Sequence, residues 1–177
     1  MTKYLVRDLV SILEYASYGI IIGCVVYVLF FVITGKGGKA HRRFSLGGFL
    51  LCIYIAVLLS ITFFSRESGG DKRIYLGIGS SWGINARNNA YVVENVLLFV
   101  PYGFLLPMAW KKSKGWWKAV LLGFLTSLII ESLQLVSGRG VFQTDDIITN
   151  TMGAFAGYLL FALLIAVVHL FKKDNYA

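Results

Sequence analysis

Residues 117–136 read WKAVLLGFLTSLIIESLQLV, a run in which apolar side chains dominate. A helix of about 20 predominantly apolar residues is long enough to span the hydrocarbon core of a bilayer. An open sheet is excluded there, because lipid offers no partner for the unpaired backbone groups of its edge. This stretch therefore predicts a membrane-spanning helix, and it carries two buried polar candidates, Glu131 and Gln134, near its end.

Four further stretches have the same apolar character, at 15–33, 46–64, 91–110 and 147–171. The chain of 177 residues is 57% hydrophobic and only 15% charged, and its mean hydropathy is +0.70. A soluble domain carries about 25% charged residues, so an ordinary soluble enzyme, a disordered chain and a fibrous repeat are excluded. We therefore predict an all-α membrane bundle of about five transmembrane helices, forming one domain over residues 1–177.

The segment before the first span predicts a short additional helix. Leu5, Leu9 and Ile12 lie on one face at helical spacing. Residues 1–14 are therefore interpreted as an interfacial helix, with a polar tail as the alternative.

The net charge of +8 is distributed unevenly along the chain. The loops after the first and third spans, together with the C-terminal tail, contain ten basic residues and a single acid, Asp174. Cytoplasmic loops of membrane proteins carry an excess of Lys and Arg. We therefore predict a multi-pass protein of the bacterial cytoplasmic membrane with its N-terminus outside and its C-terminus inside. Nucleic acid is not expected as a partner, because these charges flank the spans.

Polar side chains interrupt the spans only in their outer halves. Such groups are costly at membrane depth and are functional candidates for that reason. Glu131 lies roughly 8 Å from the outer end of its span, and Asn150 is similarly deep in the last span. The sequence thus predicts a polar cluster in the outer leaflet. Its members are Arg66, Glu94, Asn95, Glu131, Gln134, Arg139, Asp145, Asp146 and Asn150.

Several members also have a purely structural interpretation. Glu131 and Arg139 could form an ion pair that holds the outer loop. Asp145 and Asp146 begin the last span, where acidic residues cap a helix and favour the positive end of its dipole. For Asp145, capping is preferred to a chemical role.

The last span carries a stripe of small and polar residues. Asp146, Asn150, Gly153 and Gly157 follow at intervals of four, three and four, so they share one helix face. The glycine pair favours close helix packing over ligand binding, and Asn150 could bridge two helices.

Two runs of this sequence resemble the VanZ-like family of membrane proteins. The first is NVLLFVPYGFLLP at 95–107, and the second is SLIIESLQLVSGRGVFQTDDIITNTMG at 127–153. The resemblance extends over residues 46–171. One departure is Gln143, which stands where relatives often have an acid.

The resemblance implies a role in low-level resistance to teicoplanin, a lipoglycopeptide that acts at the outer face of the bacterial membrane. The partners implied are membrane lipids, a lipid-linked cell-wall precursor or the glycopeptide itself. These ligands meet the leaflet in which the polar cluster is predicted.

The first functional hypothesis is binding or envelope modification without turnover. Arginine recognises phosphate and carboxylate groups with two parallel hydrogen bonds, so Arg66, Arg87 and Arg139 would hold an anionic headgroup. The ligand-binding candidates are Arg66, Glu94, Asn95, Gln134, Arg139, Asp145 and Asn150.

The second hypothesis is an intramembrane enzyme that acts on a lipid or a lipid-linked cell-wall precursor. Glu131 and Asp146 are its catalytic candidates, because a carboxyl group enclosed in an apolar span suits a general acid or base. No metal ligand is assigned and the cofactor is left open, although Glu131, Asp145 and Asp146 offer hard oxygen ligands for a divalent cation. A transporter and a structural partner are the remaining alternatives.

Overall fold

The computed structural model describes residues 2–35, 45–70, 72–83, 85–110 and 115–174. Within them the chain forms five helical stretches that are long and apolar enough to cross a membrane. The helices are α1 (Thr2–Gly35), α2 (Leu46–Leu59), α3 (Ala86–Ala109), α4 (Trp116–Ser137) and α5 (Thr144–Asp174). The predicted all-α architecture with about five spans is confirmed.

The N-terminal segment is helical but is not a separate helix. α1 continues through it into the first span without interruption. The reason is local, because no proline or paired glycine stands between Thr2 and Gly35 to end the helix. The helix expected within residues 1–14 is therefore the first part of α1.

α2 ends in a turn of π-helix at Ser60–Phe64, which completes the second span. The backbone N–H of Ser65 donates to the carbonyl of Ser60 at 3.0 Å, five residues earlier. The Thr62 and Ser65 hydroxyls donate to carbonyls four residues back, at 2.7 and 2.6 Å. π turns are rare and frequently mark functional sites.

The tightest packing of the bundle joins α3 and α5. Gly153 and Gly157 lie against the backbone carbonyls of Val96 and Val100 on α3, where a Cβ atom has no room. Gly103 of α3 lies in the same way against the backbone of α5. The close packing expected from the glycine pair is therefore present. The core around this contact consists of Leu58, Phe99, Tyr102, Leu106, Ile130 and Ala154.

The segment after α2 packs on the connection between α4 and α5. β1 (Ile74–Tyr75) pairs in parallel with β2 (Phe142–Gln143), and the Gly70 N–H donates to the Gly138 carbonyl at 2.8 Å. Gly138 ends α4 with φ 67°, a conformation that glycine adopts readily. We call this part of the molecule, residues 65–70, 72–83 and 138–143, the loop end; α3 and α5 begin there. The basic loops at 36–44 and 111–114 lie outside the described residues, so the orientation stays a prediction.

Candidate functional site

A cavity of about 480 Å³ lies at the loop end, bounded by α1, α2, α3 and the start of α5. We call it the loop-end cavity. Four of the predicted site residues line it, namely Arg66, Glu94, Asn95 and Asp146. Residues from separate elements of the chain thus meet in one recess.

Among the described lining residues, Arg66 carries the one guanidinium group. Arg66 lies close enough to Asp146 and to Glu131 to attract both carboxyl groups, which in turn repel each other. The Asn95 side-chain amide also lies near the Asp146 carboxyl. One cation is therefore shared between two acids.

Gly140 makes room for this guanidinium. A Cβ atom at Gly140 would lie 2.7 Å from Nη1 of Arg66 and 3.6 Å from Oε1 of Gln134. Any side chain there would have to displace the arginine. Arg66 can therefore occupy this position only because Gly140 has no side chain.

Glu131 and Gln134 are not among the residues that line the cavity, but they connect segments around it. Glu131 is 2% exposed, and its Oε2 accepts a hydrogen bond from the Gln143 backbone N–H at 3.0 Å. Gln134 is 1% exposed and donates from Nε2 to the Thr62 carbonyl in the π turn at 2.7 Å. α4 thereby fixes both the β2 strand and the end of α2 with two buried polar side chains.

Asn150 lies in the interior, where it joins α5 to α4. Its Nδ2 donates to the Ser127 hydroxyl at 2.9 Å, and both residues are buried. This contact agrees with the interpretation that Asn150 bridges two helices. Asn150 is not among the residues that line the loop-end cavity.

Asp145 points away from its neighbour and into the loop. Oδ1 accepts from the Gly79 N–H at 2.7 Å, and Oδ2 accepts from the Ser81 N–H at 2.7 Å and the Ser80 hydroxyl at 3.1 Å. Asp145 is 6% exposed. Its carboxylate therefore anchors the 79–81 turn to the first turn of α5.

Arg139 also connects segments around the cavity. Its Nη1 donates to the Arg66 carbonyl at 2.6 Å, and its guanidinium lies 5.1 Å from the centre of the Phe63 ring. Arg139 therefore does not form the ion pair with Glu131 that was one alternative. It holds the backbone from which Arg66 reaches the cavity.

The three carboxylates considered as metal ligands do not converge. Asp145 is committed to the loop, whereas Glu131 and Asp146 lie beside Arg66. In the part of the chain that the structure describes, no group of three or more His, Cys, Asp or Glu residues is placed to hold a metal ion. The described residues therefore do not provide the set of carboxylate ligands that the alternative of a divalent-cation site requires.

Several residues that line the cavity were not among the predicted site residues, notably Tyr15, Asn88 and Gln143. Asn88 could have been predicted from the sequence, since it precedes Asn95 by seven residues and so shares its helix face. Tyr15 could not, because the sequence does not reveal that the first half of α1 lies beside α3.

The fold and the cavity define a class: a small five-helix membrane protein with a polar recess at one end. The family model described as VanZ/LLP1 matches residues 50–166, and the chain belongs to this family. The chain is similar to Protein VanZ of Enterococcus faecium, with 33% identity over 72 residues. That match covers 41% of this chain and 44% of the relative, so the chain spans less than half of the relative's length. No solved structure matches the chain significantly.

Proposed function

We propose that the protein binds the headgroup of a membrane lipid or lipid-linked cell-wall precursor in the loop-end cavity. Through this binding it would support resistance to teicoplanin-like glycopeptides or other envelope-active agents. The observation that supports the proposal is the mixed lining, in which Arg66, Asn95 and Asp146 lie beside apolar Ile12 and Leu98. An amphiphile requires both kinds of surface in one cavity.

The proposal places the loop end at the outer face of the bacterial cytoplasmic membrane. The excess of basic residues in the loops at the other end supports this orientation. Teicoplanin acts at the same face, so a ligand held there would lie where the drug acts.

Cysteine labelling tests the orientation. Ile78 is 79% exposed at the loop end, and Lys172 is exposed near the opposite end of α5. In a chain without Cys24 and Cys52, a membrane-impermeant maleimide should label Ile78→Cys in intact Gram-positive cells. Lys172→Cys should react only after permeabilisation. Labelling of Lys172→Cys in intact cells would reverse the orientation.

Catalysis receives less support than binding. Of the two proposed catalytic carboxyl groups, Asp146 lines the cavity but Glu131 does not. Glu131 is enclosed and bonded to the Gln143 N–H, so it would reach a ligand only after a rearrangement. Binding without turnover needs no group beyond those of the lining.

A resistance assay tests the binding function. Arg66→Gln removes the guanidinium that balances two acids, and Asn88→Leu removes an amide from the lining. Each variant should lower the teicoplanin concentration tolerated by a susceptible host to within about twofold of the empty vector. The loss of one to two hydrogen bonds weakens binding by roughly tenfold, which is enough for this effect.

The matched controls introduce the same two side chains, glutamine and leucine, outside the cavity. Arg73→Gln lies in the exposed loop, and Ser132→Leu lies on the exposed face of α4. Both should protect like the parent chain, with equal amounts in the membrane fraction by immunoblot. Full protection by correctly inserted Arg66→Gln and Asn88→Leu proteins would reject the loop-end cavity as the functional site.

A further inference from the structure

We propose that the loop-end cavity selects an uncharged, hydroxyl-rich headgroup, of the glycosyl class, whose aliphatic chain leaves between α1 and α3. This inference rests on the proposed binding function and names its ligand class. It also revises the expectation that arginines hold an anion there.

Among the described lining residues, the formal charges do not favour an anionic headgroup. They comprise one basic side chain, Arg66, and two acidic ones, Glu94 and Asp146. Glu131 adds a further acid close behind Arg66. Arg139, which was expected to add positive charge, bonds instead to the Arg66 carbonyl. The carboxylates of the lining would repel a phosphate placed in this cavity.

The lining also carries neutral polar groups that have hydrogen-bonding capacity to spare. Tyr15 and Asn88 line the cavity half-buried, and their side-chain polar atoms have no hydrogen-bond partner among the described residues. Gln143 uses its Oε1 to accept from the Ser81 hydroxyl at 3.4 Å, which leaves its amide nitrogen for a ligand. The cavity thus offers amide and hydroxyl donors together with amide and carboxylate acceptors.

Only a ligand that both donates and accepts satisfies this set. A fully ionised phosphate accepts hydrogen bonds but has none to donate, so the Asn88 carbonyl and the Asp146 carboxylate would gain nothing from it. A hydroxyl group supplies one donor and two acceptor lone pairs. Several hydroxyls on one ring would therefore match Asn88, Asp146 and Gln143 together. A volume of about 480 Å³ is in the range of pockets that enclose small organic ligands.

The remaining walls indicate how a lipid chain would leave. The apolar part of the lining includes Ile12 of α1 and Val92 and Leu98 of α3, and α1 packs only sparsely against α3. In a bilayer, an apolar gap between two spanning helices suits an aliphatic chain. The headgroup is then held by α3, α5 and the loop, while the chain continues into the membrane.

The test compares two amphiphiles that share one chain and differ in the headgroup. The full chain is reconstituted in phosphatidylcholine nanodiscs, and octyl glucoside or octyl phosphate is added below the concentration that dissolves the discs. Thermal unfolding is followed by intrinsic tryptophan fluorescence. Octyl glucoside should raise the midpoint with an apparent affinity about tenfold tighter than that of octyl phosphate.

Two variants probe the headgroup and chain sites separately. Asn88→Leu should weaken octyl glucoside about fivefold to tenfold by removing a hydrogen-bonding amide. Ile12→Trp should weaken it by filling the gap between α1 and α3. Val10→Trp, on the opposite face of α1 and 67% exposed, and Ser132→Leu should bind like the parent chain.

The outcomes separate this inference from the proposed function. Equal or tighter binding of octyl phosphate overturns the inference and leaves the proposed function standing. Failure of both amphiphiles, while Arg66→Gln and Asn88→Leu still lose resistance, also overturns the inference alone. Failure of both amphiphiles together with full resistance of those variants overturns both.

Discussion

Replacing Gly157 by leucine is expected to prevent the bundle from folding. A Cβ atom at this position would overlap the Val100 carbonyl oxygen and would lie 2.8 Å from the Phe104 backbone nitrogen. These neighbours are helix backbone and cannot rotate away as a side chain can. α3 and α5 would have to separate, and their contact is the most extensive in the bundle. Forced overpacking of a core costs about 1–3 kcal/mol, and a clash with backbone should reach the upper end or exceed it.

Fluorescence-detected size exclusion of a green-fluorescent fusion measures this effect. Gly157→Leu should give aggregated or absent protein in mild detergent. Ala166→Leu adds the same side chain to an exposed position of α5 and should elute like the parent chain. A monodisperse Gly157→Leu peak with an unchanged thermal midpoint would show that α3 and α5 do not pack as described.

The spans were predictable because lipid permits few alternatives. A long apolar run such as 117–136 has no other stable conformation in a bilayer, so hydropathy alone located all five helices. The end of α2 was less predictable, since nothing in the Ser60–Phe64 sequence distinguishes a π turn from continued α-helix. The position of the 65–83 segment was also missed. Its two residues of strand pairing depend on β2, which is distant in sequence.

The sequence grouped the polar residues into one cluster but did not give the direction of each side chain. Of that predicted cluster, Arg66, Glu94, Asn95 and Asp146 line the cavity, whereas Glu131 and Asn150, whose depths were counted, do not. A count of residues along a span does not reveal which side chains point inward. Asp145 and Asp146 are neighbours about 100° apart on α5, so one faces the loop and the other the cavity. The sequence offers no way to rank them without knowing where the 79–81 turn lies.

Loss of the Asp145 carboxylate is expected to release the loop from α5. Asp145→Ala removes the acceptor of two backbone N–H groups, at Gly79 and Ser81, and of the Ser80 hydroxyl. Hydrogen bonds to a charged group contribute about 1.5–3 kcal/mol each. Some of this is recovered because the freed N–H groups of an exposed loop bind water. A net loss of about 3 kcal/mol corresponds to a roughly hundredfold larger population of the open turn.

Hydrogen–deuterium exchange measures this opening directly. Amide protection over residues 77–83 should fall about a hundredfold in Asp145→Ala and by less in Asp145→Asn, which keeps one carbonyl oxygen. Glu67→Ala removes an exposed acid from the same loop and should leave that exchange unchanged. Parent-like protection in Asp145→Ala would mean that β1 pairing alone holds the loop.

The same variant should weaken ligand binding although Asp145 does not line the cavity. Ser81 does line it and is positioned by its N–H bond to Asp145, and Gln143 accepts from the Ser81 hydroxyl. Release of the turn therefore removes one wall while the cluster of Arg66 and Asp146 stays in place. Asp145→Ala should accordingly reduce octyl glucoside affinity without lowering the amount of inserted protein. Unchanged affinity in a variant whose loop exchanges freely would show that the wall formed by the loop contributes nothing to binding.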